Sequence, residues 1–405
     1  MSAILELNDQ ALNLYRDGQL VASSPGYALV HGKVPVFGDE AAAKSRLHPV
    51  NSYNEFWHRL GMDPLPRQIA NFRHHADMAY AHLMHLSELS AYQGELVIAV
   101  PGSFSREQLA VLSGIAQQSP FVPKAMVDTA IVAATAAPTD SEQLAFIDLQ
   151  LHQATITVIR NNNGRLQRDQ VLRVQGGSWH GMANSLVQTV TDAFIEQCRF
   201  NPQHSAQWEQ QLYNEVPDWL RAINSATPEI SIEIETDQAR HKATVQTADI
   251  LGDLQMMQSR IEQQLAGLAS SLGGSLPVLL SSRAALMPGL KSTLQAGGYL
   301  AATAVVSGEQ LAEAALRLAA NAPGGQSAVP FIQSARRQQA APENTATHRH
   351  EPATHVLLDG LAWPLSHQTW IAAAEVPAIV ADNPPGTVLE RAGKRLQLIR
   401  VQHGG

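Results

Sequence analysis

One stretch of the chain, residues 144–174, constrains the fold more than any other. Leu144–Leu149 and Ala154–Ile159 are rich in apolar and β-branched residues, which is typical of strands, and a short polar turn separates them. The Asn-Asn-Asn-Gly run at 161–164 favours a tight hairpin, because both residue types tolerate positive φ angles. The sequence therefore predicts three consecutive strands, and the first carries one carboxylate, Asp148, near its end.

The same pattern occurs once before, near the start of the chain. Its parts are the strand Ile4–Leu7, the turn Asn8–Gln10, the strand Ala11–Tyr15, the hairpin Asp17–Gly18 and the strand Gln19–Ser23. In this alignment Glu6 corresponds to Asp148, and Gly18 corresponds to Gly164. A repeat of such long period predicts two related halves rather than a solenoid. The alternative is that the two segments are unrelated, since any two three-stranded meanders look alike in sequence.

Net charge and cysteine content argue against several classes of protein. A net charge of −8 disfavours a nucleic-acid-binding surface. The single cysteine, Cys198, excludes an intramolecular disulfide bond and a cysteine-based zinc site. No run approaches the roughly 18 apolar residues of a membrane-spanning helix, and the first residues lack the basic and apolar regions of a secretion signal. We therefore expect a cytoplasmic protein that does not span a membrane.

The order of predicted elements indicates how the 405 residues are divided. Predicted helices alternate with strands over residues 1–321, which favours an α/β body with a mixed sheet. Its two halves are lobe I, about 1–140, and lobe II, about 141–321. Residues 322–352 are rich in Ala, Pro, Gln, Gly and Ser, a composition typical of a flexible linker. From 353 to 405 short apolar runs alternate with turn residues, which predicts a small all-β domain.

Four histidines occur in a predicted helix over Pro66–Tyr92. His82 and His85 are three residues apart and therefore share a helix face, which is an arrangement that could hold a metal ion. However, no cysteine or carboxylate stands at ligand spacing beside them, and Glu88 is the only nearby acid. A solvated or packing role is the favoured interpretation, and no metal site is predicted.

Five short segments follow one another in an order known from a single family. They are residues 37–41 (FGDEA), 96–104 (LVIAVPGSF), 127–134 (VDTAIVAA), 146–149 (FIDL) and 279–283 (LLSSR), the last followed by Pro288. Together they resemble the ATPase domain of the DnaK-type chaperones, the seventy-kilodalton heat-shock family, across residues 1 to about 320. The resemblance implies the actin-like ATPase fold, in which two duplicated ribonuclease H-like lobes enclose a nucleotide cleft.

The chain departs from that family at most of the positions that would hold nucleotide. The first phosphate turn, Asp-x-Gly-Thr in the family, is matched by Glu-Leu-Asn-Asp at 6–9, and the second, Asp-x-Gly-Gly-Gly-Thr, by Asp-Leu-Gln-Leu-His-Gln at 148–153. Glycine lets backbone N–H groups approach phosphate oxygens, whereas the side chains at 150–152 would fill that space. Asp9 would add a negative charge, and no lysine follows 59–61, where the family has its catalytic lysine.

The resemblance also implies which residues form the vestigial nucleotide cleft. They are Asn8, Asp9, Gln10, Asp148, Gln150, Gly176, Gly177, Ser281, Ser282 and Arg283. Loss of one preorganised stabilising group typically lowers an enzymatic rate about 10²–10³-fold, and several are missing here together. We therefore expect a chaperone-like pseudo-ATPase that acts as an adaptor or scaffold, with no catalytic residue and no cofactor.

Two alternatives stay open at this point. One is a divergent chaperone-type ATPase that still binds ATP and magnesium in the cleft. The other is an actin-like assembly factor of a pilus or secretion machine, which binds a short peptide from a partner in a membrane complex. Protein partners are expected in any case, and Trp363 and Trp370 of the small domain are candidate contact residues, because tryptophan is enriched at binding hot spots. Each tryptophan could equally fill the small core.

Overall fold

The fold is known from a computed structural model, in which the chain divides into two compact units, Met1–Arg337 and Gln338–Gly405. The residues described are 2–30, 34–69, 71–137, 141–273, 276–297, 304–320, 329–336, 353–358, 361–365, 387–391 and 394–399, together with Ile371, Val376 and Ile379. Within these ranges no helix combines the length and the apolar character needed to cross a bilayer.

The first unit contains strands and helices in alternation, and its class is mixed α/β. The strands are β1 (Ala3–Glu6), β2 (Ala11–Arg16), β3 (Gln19–Pro25), β4 (Ala28–Leu29), β5 (Val36–Phe37), β6 (Ser52–Tyr53), β7 (Pro64–Ile69), β8 (Phe72–His74), β9 (Glu95–Val100), β10 (Val122–Asp128), β11 (Gln143–Leu149), β12 (Ala154–Asn162), β13 (Arg165–Val174), β14 (Glu229–Glu235), β15 (Arg240–Gln246), β16 (Val278–Ser281), β17 (Ala304–Val306), β18 (Phe331–Ile332) and β19 (Ser334–Arg336). The helices are α1 (Asp39–Ala42), α2 (His75–Ser90), α3 (Arg106–Gln118), α4 (Thr129–Ala136), α5 (Trp179–Cys198), α6 (Ala206–Asn224), α7 (Thr247–Leu272), α8 (Ser282–Ala285), α9 (Leu290–Ala296) and α10 (Gly308–Ala320), with a 3-10 turn at Pro202–His204.

Two six-stranded sheets share the order of five strands and differ in the position of the sixth. The first runs β18-β10-β9-β1-β2-β3 and the second runs β17-β16-β11-β12-β13-β19. In each sheet an antiparallel meander, β1-β2-β3 or β11-β12-β13, continues into parallel strands beside its first member. The repeat that the sequence predicts is thus confirmed in the strand order of the two sheets.

The two meanders also share their hairpins. Asp17 and Gly18 have φ angles of 52° and 76°, and Asn163 and Gly164 have φ angles of 51° and 81°. Two successive residues with positive φ form the two-residue turn whose twist matches that of the flanking strands. The Asp-Gly and Asn-Gly pairs therefore set the register of both meanders.

Side-chain caps fix where several helices begin. Ser105 Oγ accepts from the N–H of Gln108 (3.2 Å) at the start of α3. Asp128 Oδ1 accepts from the N–H groups of Ala130 (3.0 Å) and Ile131 (3.3 Å) at the start of α4. Such caps satisfy amide groups that have no partner inside the helix.

Three apolar clusters form the core of the first unit. One lies around α2, α3 and the first sheet, and a second around α5, α6, α7 and the second sheet. The third includes residues of both sheets together with α4 and α10, which contact each other. Six consecutive residues of α4, 129–134, are buried, so this short helix is apolar on all sides because it packs against both halves.

The helix predicted over Pro66–Tyr92 is wrong in its first part. Residues 64–69 and 72–74 form the antiparallel pair β7 and β8, and α2 begins only at His75. Pro64 and Pro66 have no N–H group, and each restricts the preceding residue to extended conformations, so a helix cannot run through them.

His82 has the packing role that the sequence favours. It is fully buried, accepts a hydrogen bond from Trp57 Nε1 at Nδ1 (2.9 Å), and has Ser24 Oγ 2.7 Å from its Nε2. Its ring stacks on Phe37, with the centroids 5.4 Å apart. Burial lowers the pKa of His82 to about 3, so the ring is neutral. Within the described ranges no three His, Cys, Asp or Glu side chains are grouped to hold a metal ion.

Part of the predicted linker 322–352 belongs to the first unit instead. β18 pairs with β10 in parallel, and β19 pairs with β13 in antiparallel orientation. Val329, Phe331 and Ile332 supply apolar side chains that pack on the core clusters, which a flexible linker would not do. Residues 322–328 and 337–352 of that prediction lie outside the described residues.

The second unit contains a small antiparallel sheet. Its strands are β20 (His355–Leu358), β21 (Leu361–Pro364), β22 (Val388–Arg391) and β23 (Lys394–Ile399), in the order β21-β20-β23-β22. Val376 and Ile379 are helical, so the prediction of an all-β domain over 353–405 is wrong at this point. They lie in an alanine-rich stretch, and alanine has the highest helix propensity.

Candidate functional site

The turns that follow β1 and β11 meet each other directly. The side-chain amide of Asn8 donates to Asp148 Oδ2 (3.1 Å) and to the carbonyl oxygen of Leu149 (3.2 Å). In the opposite direction, the backbone N–H of Leu151 donates to Asp9 Oδ1 (2.6 Å). All of these side chains are buried. The two halves of the repeat are therefore joined at equivalent positions by polar contacts between the turns.

Asp9 is a buried carboxyl group with only one satisfied oxygen. Its Oδ2 has no hydrogen-bond partner among the described residues, and His58 Nδ1 stands 3.9 Å away. Burial raises the pKa of Asp9, because the charged form loses hydration. Burial also lowers the pKa of His58 to about 4, so this ring is neutral near pH 7 and does not supply a counter-charge.

Asp148 lies at the end of β11 beside a buried ion pair. Burial raises the pKa of Asp148 to about 6, the Arg283 guanidinium opposes this change, and the Glu6 carboxylate adds to it. Arg283 donates to Glu6 Oε1 and to the carbonyl oxygen of Ala11 (3.0 Å). Burial disfavours the cationic form of Arg283, but the carboxylates of Glu6 and Asp148 outweigh it and raise its pKa. The pair thus ties β1 to α8.

Side chains fill the space between the two turns. Gln153 Nε2 donates to Gln150 Oε1 (2.8 Å) and to Ser103 Oγ (3.2 Å), and Gln150 Nε2 lies 3.4 Å from Asp148 Oδ2. The residual cavity that adjoins Asp9 and Gln150 measures about 10 Å³. That volume is at the threshold of about 10–15 Å³ for a single water molecule. A phosphate group is too large for it.

Gly26 allows the chain after β3 to pack closely against the first turn. A Cβ atom at this position would clash with the carbonyl oxygen of Asp9. The short connection after β3 can therefore lie against the first turn only because residue 26 has no side chain.

The predicted cleft residues separate into two groups. Asn8, Asp9, Asp148, Gln150, Ser281 and Arg283 come together and are all buried. In this group Ser281 hydrogen-bonds to Asp148 and caps α8 through the N–H of Ala284 (3.0 Å). Gln10 lies at the edge, where its N–H donates to Asn8 Oδ1 (2.9 Å).

The other three predicted residues stand apart from this network. Ser282 is exposed at the first position of α8. Gly176 has a φ angle of 74°, and its backbone lies against the guanidinium of Arg260. Gly177 packs against Ala154 and Val174. The structure therefore gives the glycine pair a packing role beside β12 and β13.

A larger opening lies outside the two turns. This outer cleft has a volume of about 550 Å³, within the range of about 300–1,000 Å³ typical of ligand pockets. Its aromatic lining consists of Tyr27, Tyr53, Trp179, His180 and Tyr213, and its polar lining includes Gln10, Asn54, Arg46, Gln210 and Asn214. Apart from Gln10, sequence reasoning did not find this lining, because its residues come from segments far apart in the chain and carry no local motif.

Arg46 spans the outer cleft. Its guanidinium lies 3.6 Å from Glu209 Oε1 and donates to Asn184 Oδ1 (3.2 Å), while its backbone N–H donates to Gln210 Oε1 (2.7 Å). Gln210 in turn donates to the carbonyl oxygen of Ala42 (3.2 Å). These contacts join the segment after α1 to α5 and α6, so they hold the two walls of the cleft together.

Three histidine rings, those of His58, His152 and His180, lie in series between the two turns and the outer cleft. The ring centroids of His58 and His152 are 5.3 Å apart, and those of His152 and His180 are 6.2 Å apart. His152 Nε2 lies 3.0 Å from the carbonyl oxygen of Asn54. Burial lowers the pKa of His180, as it does that of His58, to about 4. Both rings are therefore neutral at physiological pH.

Comparisons with known proteins add no family to these observations. No family model matches the chain, and no curated protein matches its sequence. The chemistry of the site therefore follows from its contacts. The polar groups of the two turns bind each other, so these contacts join the two halves of the repeat.

Proposed function

We propose that this chain is a chaperone-like pseudo-ATPase of the actin-like fold, which acts as an adaptor or scaffold for protein partners. The resemblance to DnaK-type chaperones implies two duplicated ribonuclease H-like lobes. The order of five strands that the two sheets share supports that proposal, as does the meeting of the equivalent turns after β1 and β11. Fold alone does not determine function, so the proposal depends on what these turns do.

The observation that carries the proposal is the 2.6 Å hydrogen bond from the Leu151 N–H to Asp9 Oδ1. In the family that the chain resembles, glycines at these turns leave backbone N–H groups free for phosphate oxygens. Here an acidic side chain of one turn takes an N–H group of the other. Phosphate binding would require this contact to break and a buried carboxylate to lie beside a polyanion, and both changes are unfavourable.

In this chain, hydrogen bonds and ion pairs of side chains hold the two halves together. Besides the contacts between the turns, Arg168 Nη1 donates to Asp128 Oδ2 (2.7 Å) and to the carbonyl oxygen of Gly102 (3.1 Å), which joins β13 to β10. Arg46 joins the walls of the outer cleft. A body held in this way needs no nucleotide to stay closed, and a permanently closed body is suited to a scaffold.

Calorimetry with Mg-ATP tests this function directly. We expect no measurable heat of binding and no ATP hydrolysis, with an active ATPase of the resembled family as the positive control in the same buffer. A dissociation constant in the low micromolar range, about −8 kcal/mol, would contradict the proposal and favour the divergent ATPase.

The second unit is the proposed recruiting element. Trp363 on β21 is 42% exposed, and an exposed tryptophan is a frequent hot spot of protein interfaces. Trp370, the other candidate, lies outside the described residues. Trp363→Ala should weaken the binding of a protein partner identified by cross-linking, whereas Val50→Ala, at a residue that is 75% exposed in the first unit, should not. Equal binding by both variants would place the interface elsewhere.

The outer cleft favours a second candidate, the assembly factor that binds a short peptide from a partner in a membrane complex. Its aromatic walls and carboxamide groups can pack on side chains and pair with the N–H and C=O groups of a peptide. A library of displayed peptides, screened against the wild type and against Trp179→Ala, tests this role. Selected peptides that lose affinity for Trp179→Ala but keep it for Trp363→Ala would support the assembly factor over the adaptor.

A further inference from the structure

A second opening of the first unit lies between the end of β13 and the long helix α7. It measures about 670 Å³, which exceeds the volume of the outer cleft. We call it the basic groove, and its polar lining consists of Arg173, Gln175, Gly176, Arg260, Gln263 and Gln264. Gln263 and Gln264 follow Arg260 by three and four positions in α7, so the three side chains share one helix face. The groove thus combines two arginines from distant parts of the chain.

Arg260 is held in position by a glycine. Its guanidinium lies against the backbone of Gly176, and a Cβ atom at that position would clash with Arg260 Nη1. Gly176 also has a positive φ angle, so both the backbone and the guanidinium require the absence of a side chain. Arg260 Nη2 lies 3.5 Å from Met256 Sδ, one turn earlier in α7. These contacts are neutral, so they position the guanidinium without compensating its charge.

Arg173 is positioned by another neutral contact. Its Nη2 donates to the carbonyl oxygen of Ser103 (2.9 Å), in the segment between β9 and α3. A guanidinium has five N–H donors, so most of those of Arg173 stay available to a ligand. No acidic residue lines the basic groove in the part of the chain that the structure describes. Two positioned positive charges therefore line one opening that contains no carboxylate.

Arginines that join elements elsewhere in the first unit have acidic partners. Arg46 pairs with Glu209, and Arg168 pairs with the buried carboxylate of Asp128. The two arginines of the basic groove differ from these, because each is fixed by uncharged groups. This is the arrangement expected of side chains whose acidic partner comes from another molecule.

The hydrogen-bonding groups of the basic groove match those of a peptide. A guanidinium binds a carboxylate through two parallel N–H donors. The carboxamides of Gln175, Gln263 and Gln264 each contain donors and an acceptor, so they can pair with the N–H and C=O groups of a peptide backbone. A phosphate ion would use only the donors, and the net charge of −8 disfavours a nucleic acid. The groove is therefore complementary to a peptide with acidic side chains.

We propose that the basic groove binds an acidic peptide segment of a protein partner, with carboxylates of that segment on Arg173 and Arg260. This inference rests on the proposed adaptor function, because it names the chemistry of a partner. The net charge of the chain opposes such a peptide only weakly, since charges more than about 8 Å away are largely screened at physiological ionic strength. The contact of Arg173 with Ser103 places the bound segment beside a connection between the two halves of the repeat.

Fluorescence anisotropy of a short labelled peptide of alternating glutamate and serine tests the proposal on the full chain. The wild type should bind this peptide more tightly than the same peptide with glutamine for glutamate. Arg260→Gln should raise the dissociation constant about tenfold or more, because it removes a charged donor, and Arg260→Lys should have a smaller effect. Arg165→Gln removes the same charge from an exposed residue of β13 outside the groove and should leave the dissociation constant unchanged.

Gly176→Ala provides a second variant that keeps both arginines. Its Cβ atom displaces the Arg260 guanidinium, so binding of the acidic peptide should weaken although the charge of the protein is the same. Arg260 is exposed, so its replacement should not unfold the chain, and circular dichroism of each variant verifies this.

Four results would overturn the proposal. They are equal affinity for the acidic and neutral peptides, an affinity that Arg260→Gln does not change, equal losses in Arg260→Gln and Arg165→Gln, and binding of inorganic phosphate without binding of the acidic peptide. The last result would assign the groove to a small anion. Each of these results leaves the expected absence of ATP binding untouched, whereas binding of Mg-ATP would contradict the proposed function whatever the peptides do.

Discussion

The guanidinium of Arg46 lies 3.8 Å from the centre of the Tyr213 ring, and the two residues stand on opposite walls of the outer cleft. Arg46 comes from the segment after α1, whereas Tyr213 is in the middle of α6. The cation lies on an aromatic face and also pairs with Glu209, and both charged side chains are 27% exposed. This combination makes Arg46 a side-chain connection across the outer cleft.

Replacement of Arg46 should loosen the outer cleft. Arg46→Ala removes the ion pair and the stacking contact, which together are worth about 1–2 kcal/mol at a half-buried site. Arg46→Lys keeps the charge but loses the planar group and should have a smaller effect. Hydrogen exchange of the amides in α1 and in residues 206–214 should be fastest in Arg46→Ala, slower in Arg46→Lys and slowest in the wild type. Lys44→Ala, which breaks an exposed pair with Glu40, is the control and should change little.

The stability of the chain should depend on the charge of Asp148. Because burial raises its pKa to about 6 from the ordinary value of 3.8, the folded state holds this proton more tightly than the unfolded chain. The contribution is therefore present at low pH and is lost as the pH rises from about 4 to about 6, by at most about 3 kcal/mol. Asp148→Asn should lack this loss.

Urea denaturation at a series of pH values provides the measurement for Asp148. The difference in the free energy of unfolding, Asp148→Asn minus wild type, should increase over this window and stay constant above it. A difference that is flat with pH would show that Asp148 ionises normally. Taking the difference between the two proteins removes the contribution of the other carboxyl groups.

Removal of one partner of the buried Glu6–Arg283 pair should be costly. Glu6→Ala leaves the Arg283 guanidinium, which is 5% exposed, without its carboxylate, and such losses amount to about 3–5 kcal/mol. The double variant Glu6→Leu with Arg283→Met should lose less, because no unpaired guanidinium remains buried, although Asp148 also loses its positive neighbour. Arg160→Ala, from the exposed pair with Asp169, should cost less than about 1 kcal/mol. Chemical denaturation of the four proteins compares these values, and equal losses in Glu6→Ala and Arg160→Ala would contradict them.

Two glycine substitutions should have opposite effects. Gly26→Ala would place a Cβ against the carbonyl oxygen of Asp9, so the first turn must shift and the melting temperature should fall. Gly114 lies inside α3 with no atom near its would-be Cβ, and Gly114→Ala should stabilise the chain by about 0.5–1 kcal/mol. Thermal unfolding distinguishes the two. A tolerated Gly26→Ala would show that the turn has room to relax.

Local patterns predicted the parts of the fold that depend on neighbouring residues. The two hairpins follow from turn chemistry, which acts over a few positions. The helix predicted from Pro66 was wrong, because its apolar spacing was weighted above the two prolines. The strand at Phe331–Ile332 was not predicted, because a two-residue strand gains its stability from β10, which is distant in sequence.

The candidate site was predicted in most of its membership but not in its contacts. The resemblance implied that Asn8, Asp9 and Asp148 come together, and they do. It could not show that Asp9 accepts a hydrogen bond from the opposite turn, because that contact depends on distances of a few tenths of an ångström. Arg46 and Tyr213 belong to no sequence motif, so their contact can be recognised only in the folded chain.

The pairing of β18 with β10 has a consequence for synthesis of the chain. Phe331 lies opposite Met126 and follows it by 205 positions. At about 5–20 residues per second, the ribosome needs about 10–40 s to make that interval. Throughout this time β10 is an unprotected edge on the nascent chain, although the rest of its sheet has already been made. The first sheet is therefore incomplete until a segment near the end of the first unit has been made, and during this time its β10 edge can pair with other strands.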